Sequence, residues 1–189
     1  MKITTVLGSP KKTGNTATAL KMFEKAMADK GHTINRINIV DHKINGCLGC
    51  NLCFSSKEHA NCIQKDDVNA LFNQIIDEAD LVIYATPLYA HSFPSQMKAF
   101  IDRHFCLVTN PGLPNQSSLI ENKHVALLVT CCNPESTTDL IQESFDRIFE
   151  ELRCNICEEY IIPLSASPDY IERAQTKVRS MCEEILAVL

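Results

Sequence analysis

No stretch of the chain stays apolar for the length that crosses a bilayer, so no membrane-spanning helix is expected. A charged-then-apolar leader is also missing. The N-terminus enters an apolar run at Ile3, which points to a cytoplasmic protein. Positive charge is in short supply, the 189 residues carrying a formal net charge of −5. That argues against a nucleic-acid groove and leaves Lys11, Lys12, Lys21 and Lys25 as a local basic patch. Internal repeats are missing, and no linker is long enough to divide the chain, so residues 1–189 read as one domain with a full core. Three familiar phosphate signatures fail as well. G-x-x-x-x-G-K-S/T fails because five residues separate Gly8 from Gly14 and Asn15 stands where lysine should be. G-x-G-x-x-G fails at Pro10, and C-x5-R occurs nowhere.

Cysteine, by contrast, is abundant, with ten in the chain. Without a leader, a disulfide framework is not expected, and metal or redox chemistry becomes the leading reading. Elsewhere, apolar runs alternate with helical stripes from end to end. Strands are expected at Lys2–Leu7, Thr33–Ile39, Leu81–Ala85, His124–Thr130 and Asn155–Ile162. Helices are expected at Asn15–Lys30, after a cap at Asp66, at Pro94–His104, at Ser136–Leu152 and at Pro168–Leu189. A cysteine-rich loop fills 41–65, and Asn110–Asn122 shows no periodicity. Five βα units of this length build an α/β fold, a parallel sheet wound on both faces, because each crossover is right-handed.

The central stretch is Gly8–Thr16, GSPKKTGNT, between the first strand and the first helix. The first N–H groups of a helix have no internal partner, and the helix dipole favours an anion there. Gly8 and Gly14 permit close backbone approach, Ser9, Thr13, Asn15 and Thr16 supply donors, and Lys11 and Lys12 supply charge. A terminal phosphate suits such a socket; a plain strand-to-helix turn is the alternative. The stretch resembles the phosphate loop of the flavodoxin-like, NADPH-dependent FMN reductases, G-S-x-R-x-x-S/G-N-S/T, with Lys11 in place of the usual arginine.

The resemblance implies a three-layer α/β/α flavodoxin-like fold, a five-stranded parallel sheet in the order 2-1-3-4-5, with FMN bound where the winding direction switches between strands one and three. The segment after strand three, Thr86-Pro87-Leu88-Tyr89-Ala90-His91-Ser92-Phe93-Pro94, resembles the family's S/T-P-I/L-Y loop. The following Gln96–Arg103 resembles its K-x-F-I/L-D-R helix. Pro87, Leu88, Tyr89, Ala90, His91 and Phe93 are thereby expected to offer the flavin an aromatic wall and backbone donors. Tyr89 and Phe93 as core aromatics, and His91 as a solvated loop residue, are the alternatives. Thr130, Cys131 and Cys132, after strand four, are the third expected contact, unless the two cysteines are buried fillers. Lys98, Asp102 and Arg103 read as a helix-surface ion-pair set or a subunit contact.

Cys47, Cys50 and Cys53 form a C-x2-C-x2-C run, and Cys62 follows after eight residues. Three thiolates on one wrap, with a fourth nearby, suit a [4Fe–4S] cluster, and Gly46 and Gly49 give the wrap its freedom. The run resembles the iron–sulfur flavoprotein branch of the same family, with Asp66 and Asp67 as the acidic pair that follows. Zinc on the same thiolates, a redox dithiol of Cys50 and Cys53, and a metal-free loop remain open. Cys154 and Cys157 border a strand and read as core or surface residues. The expected function is an FMN-dependent oxidoreductase that moves electrons, with NAD(P)H or a ferredoxin as donor. A homodimer or homotetramer is implied by the resemblance. A cluster-free NAD(P)H:FMN or quinone reductase, and a non-redox phosphate-ligand or zinc-binding regulatory module, are the rivals.

Overall fold

The computed structural model describes residues 1–54 and 58–189; Ser55, Ser56 and Lys57, within the expected cysteine-rich loop, lie outside the described residues. Five parallel strands form the central sheet: β1 (Lys2–Leu7), β2 (Thr33–Asn38), β3 (Leu81–Pro87), β6 (His124–Thr130) and β7 (Asn155–Ile162). Their order, β2-β1-β3-β6-β7, is the expected 2-1-3-4-5. Helices α1 (Asn15–Asp29) and α5 (Tyr170–Val188) cover one face. Helices α2 (Val68–Glu78), α3 (Ser95–Asp102) and α4 (Asp139–Glu151) cover the other.

Alternation within each strand feeds two cores. Ile3, Leu7, Leu81 and Ile83 meet Leu20, Phe23, Met27 and Met181 on one side. Val6, Val82, Tyr84 and Leu127 meet Phe72, Phe100, Phe145 and Phe149 on the other. Leu81–Ala85 of β3 and Val125–Val129 of β6 are buried on both faces, and these stretches are apolar.

The differences from expectation lie at element ends. β3 runs two residues past Ala85 because Thr86 and Pro87 pair with Val129 and Thr130. α2 starts at Val68, with Asp67 rather than Asp66 at its N-cap. A 3-10 turn at Glu135–Thr137 delays α4, and another at Arg103–Leu107 follows α3. The Asn110–Asn122 segment carries β5 (Ser117–Ser118), antiparallel to β4 (Val108–Thr109). Two residues are too few to show a period.

Candidate functional site

The loops at the carboxyl ends of β1, β3, β6 and β7 line a crevice of about 290 Å³. Ser9, Lys11, Gly14, Asn15 and Thr16 line it from the first loop, Pro87, Leu88 and Tyr89 from the second, and Thr130, Cys131 and Cys132 from the third. Ser165, after β7, was missed in the sequence. The rule that ligands sit beyond strand ends would have found it. A wider groove of about 560 Å³ lies along α5, but it mixes three acidic residues, Glu135, Asp169 and Glu172, with Arg173 and Lys177, and lies away from the N-terminus of α1.

At the floor of the crevice, α1 begins without a side-chain cap. Gly14 is the N-cap residue, and no acidic residue occupies the first turn. The partial positive charge of the helix end is therefore left for a ligand. Lys11 stands over it, its own N–H donating to Ser9 Oγ at 3.1 Å. Thr16 and Thr130 share a buried hydroxyl–hydroxyl bond of 2.7 Å that ties the first loop to the third. The Asn15 amide donates to the Ser165 carbonyl at 2.6 Å, tying first to fourth. Gly8 is required by packing: a Cβ there would lie 2.6–2.8 Å from Met97 of α3.

The second loop turns sharply at the mouth. Tyr89 and Ser92 exchange backbone bonds of 3.0 and 2.9 Å around Ala90 and His91, whose φ values of 48° and 60° are left-handed. Such a pair in non-glycine residues costs roughly 1–2 kcal/mol each and marks a site held by its surroundings. Tyr89 is half-exposed. Ala90 and His91 sit at the exposed rim, with His91 Nδ1 3.3 Å from the Thr137 carbonyl, and do not line the crevice. Phe93 is buried in the core beneath α3, and Thr13 faces a separate recess with Lys12 and Lys21. Burial pushes the Cys131 thiol up, so it stays protonated and donates to the Asn133 carbonyl.

The second constellation lies in the cysteine-rich loop. Cys47, Cys50, Cys53 and Cys62 border one small cavity, together with Arg103, Phe105 and a fifth thiol, Cys106. Among the described residues, no three His, Cys, Asp or Glu side chains converge as a set for one metal ion. Left-handed Gly49 (φ 61°) and Asn51 (φ 57°) make the wrap; Gly46 does not need its freedom. The acidic pair braces the loop. Asp66 accepts from the Asn45 N–H at 2.9 Å, and Asp67 accepts from the Lys43 N–H at 2.7 Å. Asn69 of α2 bonds both backbone groups of Cys62 at 2.7 and 2.8 Å.

Arg103 overturns its surface reading. Lys98 and Asp102 do pair on the exposed face of α3, but the Arg103 side chain is only 1% exposed and pairs with the fully buried Asp66. Cys106 joins the cavity from the 3-10 turn that follows α3. Cys154 and Cys157 are partly buried at the far end of the sheet.

A doubly wound parallel sheet with an uncapped helix at its switch point defines a flavodoxin-like protein. Residues 1–166 match the model of the NADPH-dependent FMN reductases, and the chain belongs to that family. An iron–sulfur flavoprotein of Archaeoglobus fulgidus is 39% identical over 103 residues, 54% of this chain and 45% of that protein. One from Methanosarcina thermophila is 28% identical over 107 residues, 57% of this chain and 54% of that protein. The matches thus span about half the length of these relatives. An FMN-dependent NADH-azoreductase from Bacillus anthracis, solved with FMN, superposes with a TM-score of 0.73 at 13% identity, covering 100% of this chain and 99% of that one. An NAD(P)H:quinone oxidoreductase from Methanothermobacter marburgensis gives 0.73 at 16%, covering 97% and 96%. At these identities the structural likeness establishes the fold.

Proposed function

We propose that this single domain is an FMN-dependent oxidoreductase that takes electrons from NAD(P)H or a protein donor. The observation that carries the reading is the uncapped N-terminus of α1, which opens into a crevice walled by the three expected loops. Ser9, Lys11, Gly14, Asn15 and Thr16 would hold the phosphate, while Pro87, Leu88, Tyr89, Thr130, Cys131 and Cys132 would border the ring. FMN itself supplies the hydride and single-electron chemistry. The chain's part is to orient it and exclude water. The buried Thr16–Thr130 bond fixes the spacing between phosphate loop and ring wall, and the protonated Cys131 keeps negative charge away from the ring. Thr13, Ala90, His91 and Phe93 are not assigned to the site.

The thiol lining suits an iron–sulfur group in its chemistry, because four soft donors from the cysteine-rich loop border the same cavity. Cys47, Cys50, Cys53 and Cys62 would hold a [4Fe–4S] centre, which supplies one-electron exchange. Leu48, Leu52 and Ile63 expose apolar surface on this loop, which supports a subunit contact there in a homodimer or homotetramer. All ten cysteines are free, as a reducing cytoplasm would keep them.

Substituting Asn15 by Asp tests the flavin site. A carboxylate there meets both the phosphate and the Ser165 carbonyl, and FMN affinity, followed by quenching of flavin fluorescence, should fall at least about tenfold, or 1.4 kcal/mol. Unchanged affinity refutes the assignment. Substituting Cys50 by Ala should remove iron and leave FMN bound; FMN uptake by a wild-type protein that takes no iron on anaerobic reconstitution would favour the cluster-free reductase.

A further inference from the structure

Two short motifs that lie far apart in the sequence meet under the cysteine cavity. Arg103 closes the helix after the ring loop, and Asp66 follows Cys62. The guanidinium Nη1 donates to Asp66 Oδ2 at 2.7 Å and to the Asn45 carbonyl at 3.0 Å, and Nη2 donates to Asp66 Oδ1 at 3.2 Å. Side-chain exposure is 1% for Arg103 and 0% for Asp66. Burying two charges costs several kcal/mol each, a cost that a neutral brace for the same loop avoids. The geometry also leaves something over: Arg103 Nε is buried without a hydrogen-bond partner among the described residues. An orphaned buried donor costs about 1–3 kcal/mol. Arg103 forms part of the wall of the thiol cavity, which Cys62 also lines. A charged donor with unused capacity therefore stands beside a space bordered by four thiols.

We propose that Arg103 is a positioning residue for this cavity, its guanidinium hydrogen-bonding the sulfur of a bound iron–sulfur centre and setting the centre's reduction equilibrium, with Asp66 as the opposing charge. This rests on the reading that the cavity takes such a centre. Reduction adds one electron and no proton, so the buried site gains a negative charge. A cation and a donor to sulfur stabilise that reduced form more than the oxidised one. Removing Arg103 disfavours reduction. Removing the charge of Asp66 unmasks the cation and favours it. Opposite signs separate tuning from bracing, since a brace lost from either side disturbs the loop in the same way.

The full chain, reconstituted anaerobically with iron, sulfide and FMN, is titrated with dithionite while the reduced centre is followed by electron paramagnetic resonance. Arg103→Gln should shift the equilibrium at least tenfold towards the oxidised form, about 59 mV for one electron. Asp66→Asn should shift it the other way, and Arg103→Lys, which keeps the charge and loses the Nε donor, should fall between wild type and Arg103→Gln. Where Arg103→Gln does not fold, judged by lost FMN binding, the opposite shifts of Asp66→Asn and Arg103→Lys decide. Shifts of the same sign, potentials within twofold of wild type at full iron content, or variants that all shed iron while keeping FMN overturn the proposal. A wild-type protein that takes up no iron overturns the underlying reading instead.

Discussion

Replacing Gly8 by Ala puts one methyl group at the junction of β1, α3 and the crevice. In an open loop this change would stabilise the fold by about 0.4–1 kcal/mol, because alanine has fewer unfolded conformations to lose. Here the new Cβ would lie 2.6 Å from Met97 Sδ, 2.7 Å from its Cγ and 2.8 Å from its Cβ. The sulfur can swing away; the Cβ cannot without moving α3, and Met97 is fully buried. An ordinary carbon–carbon contact near 3.5 Å requires an opening of about 0.7 Å at the Cβ. Gly8 meanwhile is held to β3 by its N–H bond to the Ala85 carbonyl at 2.8 Å. Overpacking of this kind costs about 1–3 kcal/mol, so the expected net loss is about 2 kcal/mol, or roughly 4–8 °C in Tm for a chain of this size. The chain has no tryptophan, so urea unfolding is followed by circular dichroism. Met97→Ala removes the Sδ and Cγ contacts and vacates buried space into which α3 can shift to relieve the remaining Cβ contact, so in that background Gly8→Ala should cost at least about 1 kcal/mol less. A stabilised single variant, or strict additivity in the cycle, would refute the reasoning.

Other outcomes follow from buried polar groups. His104 is enclosed by Phe72, Phe100, Tyr84 and Phe149; its Nδ1–H donates to the Phe100 carbonyl and its Nε2 accepts from Tyr84. Burial lowers its pKa from 6.5 to about 4. The unfolded chain therefore binds this proton first, and stability present above pH 6.5 is lost as pH falls towards 4. Between pH 7.5 and 5 the loss should be about 2 kcal/mol, measured as the difference between wild type and His104→Gln. Glu159 is pushed up to about 7 by burial and by Asp146 beside it, so stability present below its ordinary value is lost as pH rises through 7. Allowing for partial exposure, Glu159→Gln should add about 1 kcal/mol at pH 8 and little at pH 5, read from urea midpoints. Thr16→Val strands the buried Thr130 hydroxyl and should cost about 1–3 kcal/mol with weakened FMN uptake; an unchanged midpoint would count against the tie between the loops.

Much of the fold was legible because its signals are local. Strand, helix and stop depend on residues two to four apart, and the alternation of uniformly apolar runs with helical stripes left a parallel, doubly wound sheet as the natural solution. The crevice followed from chain order alone, since loops after strands one, three and four must emerge on one edge. The ends of elements were read less well, as at β3, where pairing with β6 carries the strand on to Pro87.

Contacts across long sequence separations were set by packing alone. Phe93 is packed into the core, after a left-handed turn at Ala90 and His91 that no local pattern announces. Ser165 reaches the crevice through Asn15, 150 residues earlier. Arg103 looks, in its own helix, like one more surface charge after Asp102. Only the 3-10 turn that follows it and the descent of the cysteine loop onto α2 bring it to Asp66, 37 residues away. The sequence by itself determined which residues form the sheet and which loops emerge at its carboxyl edge. The tertiary structure decided which charges are buried and what they face, because desolvation depends on neighbours that no local pattern records.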